Sequence, residues 1–65
     1  MSAAPVEARR PTAAEVRIVL QALVRQRQEL RRSQGDSASL EANRLAIVYW
    51  QTALSHALVA ERSGG

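Results

Sequence analysis

From Leu40 to Ala60 the chain reads LEANRLAIVYWQTALSHALVA, a stretch with more apolar residues than one neighbouring helix can cover. Leu40, Ile47, Leu54 and Leu58 recur at helical spacing and form one stripe, with Trp50 at its edge. Ala42, Ala46, Ala53, Ala57 and Ala60 fall roughly 60 to 140° further round, at ~100° per residue. Small side chains there let a second backbone approach closely, although alanine also favours helix on its own account. Leu45, Val48, Tyr49 and Val59 occupy the remaining side. A helix apolar on so many sides is normally buried on more than one of them.

A partner for the first stripe lies upstream. Thr12 followed by Glu15 spells a capping box, in which each side chain satisfies an unpaired amide of an opening helical turn. From there to about Arg32, Val16, Val19, Leu20, Leu23, Val24 and Leu30 share one face, while Arg17, Gln21, Arg25, Gln28 and Glu29 fall outside it. Ile18 sits on the back with Ala14 and Ala22. The connection Ser33-Gln34-Gly35-Asp36 carries a glycine suited to the left-handed conformation that ends a helix, and Asp36, Ser37 or Ser39 can cap the next. A loop this short makes the helices antiparallel.

In an antiparallel hairpin, the numbers of facing residues add to a constant. Leu30 with Leu40, Leu23 with Ile47, Leu20 with Trp50 and Val16 with Leu54 all give 70, so two stripes read separately agree on one register. The same register sets Arg27 against Asn43 in the middle of an apolar seam. That pair reads either as a polar layer that fixes register and oligomer state, or as an arginine whose stem packs while its head reaches water.

The expected fold is therefore all-α: an antiparallel two-helix hairpin, helix 1 over about 12–32, a turn at 33–36 and helix 2 over about 37–62. Residues 1–11, with two prolines, small side chains and mixed charge, read as a disordered tail, and 63–65 as a flexible end. With 65 residues and no cysteine, neither a large core nor a disulfide is available, and oligomerisation is the usual remedy. Two hairpins are expected to pair as a homodimer in a four-helix bundle, with Ala42, Ala46, Trp50, Ala53, Ala57 and Ala60 in the dimer seam.

Catalytic and metal chemistry find no footing in the sequence. His56 is the single histidine, it has no carboxylate three or four residues away on its helix, and the adjacent Ser55 points about 100° from it. The six acids are scattered, so neither a metal site, a cofactor site nor a catalytic pair is expected. The uncharged run from Leu45 to Ala60 is shorter than the ~20 residues a membrane span needs, and residues 1–11 lack the apolar core of a signal peptide, which points to the cytoplasm.

What remains is a non-enzymatic small regulatory protein, a homodimeric interaction module that docks a protein partner through Ile18, Leu45, Val48, Tyr49 and Val59. The alternative is nucleic-acid binding, RNA or DNA, through Arg25, Arg27, Arg31, Arg32 and Arg44 near the turn. All nine basic residues are arginine, but a net charge of +3 is modest for that role.

Overall fold

Helix α1 spans Ala13–Arg32 and helix α2 spans Ser37–Gly64. The computed structural model describes residues 10–64, with side chains through Ser63. Most of the expected N-terminal tail, and Gly65, lie outside the described residues. Ser63 and Gly64 are the last residues of α2.

The capping box at the start of α1 is present. The Glu15 amide donates to Thr12 Oγ1 at 3.1 Å, and the Thr12 amide donates to Glu15 Oε1 at 2.8 Å. The next amide, of Ala13, donates to Glu61 Oε2 at 2.7 Å, so a carboxylate from the far end of α2 completes the cap. Near the C-terminal end of its own helix a negative charge is disfavoured by the macrodipole; beside the first turn of α1 it is favoured. The contact therefore ties the open end of the hairpin together.

The turn departs from expectation in one respect. Gln34, not Gly35, takes the left-handed conformation, with φ 57°, and no described glycine has a positive φ. The Gly35 amide donates to Leu30 O at 2.6 Å and the Gln34 amide to Arg31 O at 3.3 Å, the two bonds of a Schellman motif with Gln34 at its left-handed position. Gly35 is needed for space instead: a Cβ there would stand 2.9 Å from Leu30 Cδ2 and 3.2 Å from Leu30 O. A left-handed non-glycine residue is strained by roughly 1 kcal/mol. Gln34→Gly is accordingly expected to raise the melting temperature modestly in a thermal denaturation followed by circular dichroism, whereas Gly35→Ala should lower it.

Asp36 caps α2 by accepting the Ser39 amide at 2.9 Å, and hydrogen bonding from the Ser39 side chain first and its amide second holds the Asp36 carboxyl below the ordinary value of 3.8. One turn on, Arg44 donates twice to Glu41, at 2.7 and 3.0 Å, and lowers the Glu41 pKa below 4.5. Both groups have depressed folded-state values, so their stabilisation is complete above the unfolded-state values and is lost as pH falls through the folded-state ones. Melting temperature should therefore fall as pH is taken below about 4.5, and melts of Asp36→Ala and Glu41→Ala should show a weaker fall over the same window.

Between the helices the seam repeats every seven residues on both sides. Ala13, Val16, Leu20, Leu23, Arg27 and Leu30 of α1 meet Ala57, Leu54, Trp50, Ile47, Asn43 and Leu40 of α2, each pair adding to 70. All twelve are buried or half-buried. This is the alternating three- and four-residue spacing of an antiparallel coiled coil. It brings Ala13, Asn43 and Ala57 into the seam beside the leucines, and it puts Leu58 and Val24, expected in the hairpin stripe, one step outside: they are 38% and 46% exposed.

At its centre Asn43 is 3% exposed. Its Nδ2 donates to Leu23 O at 3.0 Å and to Gln26 Oε1 at 2.9 Å, while Arg27 Nη1 donates to its Oδ1 and to Leu40 O, both at 3.4 Å. The arginine thus turns inward along the seam, and among the described residues no buried side-chain polar atom lacks a partner. Ala13 and Val16 are the fully buried apolar residues among those described. The molecule measures 46 × 29 × 15 Å, so it is one helix thick and has two broad faces.

Candidate interaction surfaces

Because the helices run in opposite directions, residues one step past the seam on α1 share a broad face with residues one step past it on α2. That face carries Arg17, Val24 and Arg31 from α1 with Arg44, Gln51 and Leu58 from α2. Residues one step before the seam share the opposite face: Thr12, Val19 and Gln26 with Ser39, Ala46, Ala53 and Ala60. The grouping has direct support at the open end, where Thr12 and Ala53 line the same groove, of about 650 Å³, with Arg10, Pro11, His56 and Ala57.

The alanine face holds most of the residues expected in a dimer seam. Ala46 and Ala53 are half-buried on it, and Ala42 and Ala60 are exposed on its outer side. Trp50 and Ala57 stand one step nearer α1, half-buried in the hairpin's own seam. The Trp50 ring is met edge-on by Tyr49, with centroids 5.4 Å apart and planes at 86°, so the exposed phenol and the half-buried indole form one continuous apolar surface. Charge is sparse on this side: Glu15 and Glu29 fall at the rim of α1, and Arg10 lies at the open end.

The residues assigned to partner docking are all exposed: Ile18 66%, Leu45 53%, Val48 47%, Tyr49 66% and Val59 63%. They do not form one patch. Leu45, Val48 and Val59 run along the back of α2, opposite α1; Tyr49 borders the alanine face; and Ile18 stands alone on the back of α1.

Among the arginines of the alternative reading, Arg27 is engaged by Asn43 and Leu40 inside the seam. Arg32 pairs with Glu29 at 3.4 Å and Arg44 with Glu41 at 2.7 Å, both on the surface. Arg25 and Arg31 are exposed and make no ion pair among the described residues. The five do not share a face, since Arg25 and Arg32 project from the back of α1. Among the described residues no cluster of histidines and acids suits a metal ion, and no helix is long and apolar enough to cross a membrane.

No family model, curated protein or solved structure matches the chain. The surfaces themselves must therefore carry the functional reading. Two features were absent from the reading of the sequence. The Glu61 cap joins residues 48 positions apart, and its sequence signal was an acid near the end of α2 that its own helix does not favour. The segregation of arginine from alanine onto opposite faces was legible only once the seam was known to the residue.

Proposed function

We propose that this protein is a non-enzymatic interaction module that works as a homodimer, two hairpins packing through their alanine faces into a four-helix bundle. The observation that carries the reading is the mismatch between core and surface. Among the described residues two apolar residues are buried, while seven large apolar residues are 38–66% exposed, five of them on α2. A slab one helix thick is half of the two-layer arrangement from which domains are built. Pairing through the alanine face supplies the missing layer, and small side chains there allow the close helix contact such a bundle requires.

Charge chooses between the two faces. Stacking the arginine face on its own copy would bring Arg17, Arg31 and Arg44 against their equivalents, a repulsive arrangement. The alanine face meets its copy without that cost. Burial of Ala46, Ala53 and Tyr49 in the seam leaves Leu45, Val48 and Val59 on the outside of the bundle, where they offer a partner protein an apolar ridge along α2.

Sedimentation equilibrium and thermal melts over a hundredfold range of concentration test the reading. A dimer is expected at micromolar concentration, with a melting temperature that rises with concentration because dissociation and unfolding are linked. A folded monomer whose melting temperature is independent of concentration would sink it.

A further inference from the structure

The face opposite the alanines has a composition of its own. Arg17 and Arg31 of α1 and Arg44 of α2 project from it, with Arg62 at its edge, and Val24 and Leu58 lie between them at 46% and 38% exposed. Of these arginines, Arg44 alone has an ion-pair partner among the described residues, Glu41. The other described acids are elsewhere: Glu15 and Glu29 at the alanine rim, Glu61 in the α1 cap and Asp36 in the turn. The basic excess of the hairpin is thus concentrated on one broad surface.

We infer that this arginine face docks an acidic amphipathic helix of a partner protein, laid in the valley between α1 and α2. Positions Arg17, Val24 and Arg31, and Arg44, Gln51 and Leu58, each repeat at seven residues, the interval at which a third helix presents its own apolar and charged side chains. Val24 and Leu20 line a shallow groove of about 310 Å³ on the α1 edge of this face, walled by Gln21, Arg25 and Gln28, so its apolar contact is offered by α1 alone. Flanking arginines then meet carboxylates on either side of that apolar line. A second copy of this chain does not fit, because it would present the same charges. A nucleic-acid backbone would use the arginines but leave Val24 and Leu58 without a role. The inference does not rest on the homodimer, since the two surfaces are on opposite sides.

Fluorescence anisotropy with the full chain tests it, using a labelled synthetic helix about three heptads long with a leucine seam flanked by glutamates. Two competitors separate the classes: the same peptide with lysine for glutamate, and an oligouridine RNA. The glutamate peptide is expected to bind at low salt at least about tenfold more tightly than the lysine peptide, and to weaken as salt is raised. Arg17→Glu with Arg31→Glu should reduce that binding by at least about tenfold, and Val24→Asp should reduce it while the sedimenting mass and helicity stay unchanged. If the double charge reversal fails to fold, Arg17→Gln with Arg31→Gln takes its place, with a smaller loss expected. No binding of the glutamate peptide, equal binding of the two peptides, binding indifferent to these variants, or tighter binding of the RNA would each overturn the inference.

Discussion

Ala46→Glu is expected to convert the protein from a helical dimer to a largely unfolded monomer at micromolar concentration. Ala46 is half-buried on the alanine face, one step before the seam residue Ile47. In the proposed bundle a carboxylate there would be taken out of water with no cation in reach, which costs about 3–5 kcal/mol. A hairpin with two buried apolar residues among those described has little independent stability to set against that loss. Ala53 is the less decisive position, because the groove beside it is lined by Arg10 as well as Glu61, so a carboxylate there would not be without a cation. Sedimentation and far-ultraviolet circular dichroism read the two consequences together, and Arg17→Glu on the opposite face serves as the control that should leave both unchanged. An Ala46→Glu dimer with wild-type helicity would mean that this face is not the seam.

Asn43→Ala should cost about 2–3 kcal/mol, out of proportion to the few atoms removed. The side chain is buried and joins three residues of α1: the carbonyl of Leu23, the side-chain oxygen of Gln26 and the guanidinium of Arg27. Truncation leaves Arg27 facing an apolar void across the seam and removes the donor from two acceptors. For a chain of this size the loss corresponds to a fall of roughly 10–20 °C in melting temperature. Replacing the whole layer behaves differently. Arg27→Leu with Asn43→Leu should recover or exceed wild-type stability, since apolar packing commonly matches a satisfied polar layer. It should also permit neighbouring registers, visible as a broader mass distribution in sedimentation, because a polar pair at one level is what penalises a slipped alignment. An Asn43→Ala variant that melts with wild type would show that the layer contributes nothing.

The hairpin was legible in the sequence to the level of register because its determinants are local or periodic. The capping box at Thr12 and Glu15 needs four consecutive residues, and the constant sum of facing positions follows from two stripes and a short turn. The exposure of Ile18, Leu45, Val48, Tyr49 and Val59 was equally readable, since helical spacing alone places them away from the stripes. The errors arose where two side chains compete for one role. Leu58 is larger and more apolar than Ala57, yet Ala57 takes the seam, because a seven-residue repeat carried over six layers overrides the hydrophobicity of any one position. Gly35 looked like the left-handed residue of the turn; α1 ends at Arg32 with Ser33 as its cap, so the left-handed step falls on Gln34, and Gly35 serves instead to leave space beside Leu30.

The sequence by itself determined that two amphipathic helices would form, where they would begin, and that they would meet antiparallel with Arg27 beside Asn43. These properties depend on amides, caps and periodicity within a few turns. Only the tertiary structure decided that Glu61 closes the first turn of α1, that Ala57 rather than Leu58 belongs to the hairpin's own seam, and that arginine and alanine lie on opposite faces. Each of those depends on the relative rotation of two helices, and a rotation of one residue, about 100°, reassigns every flanking position at once.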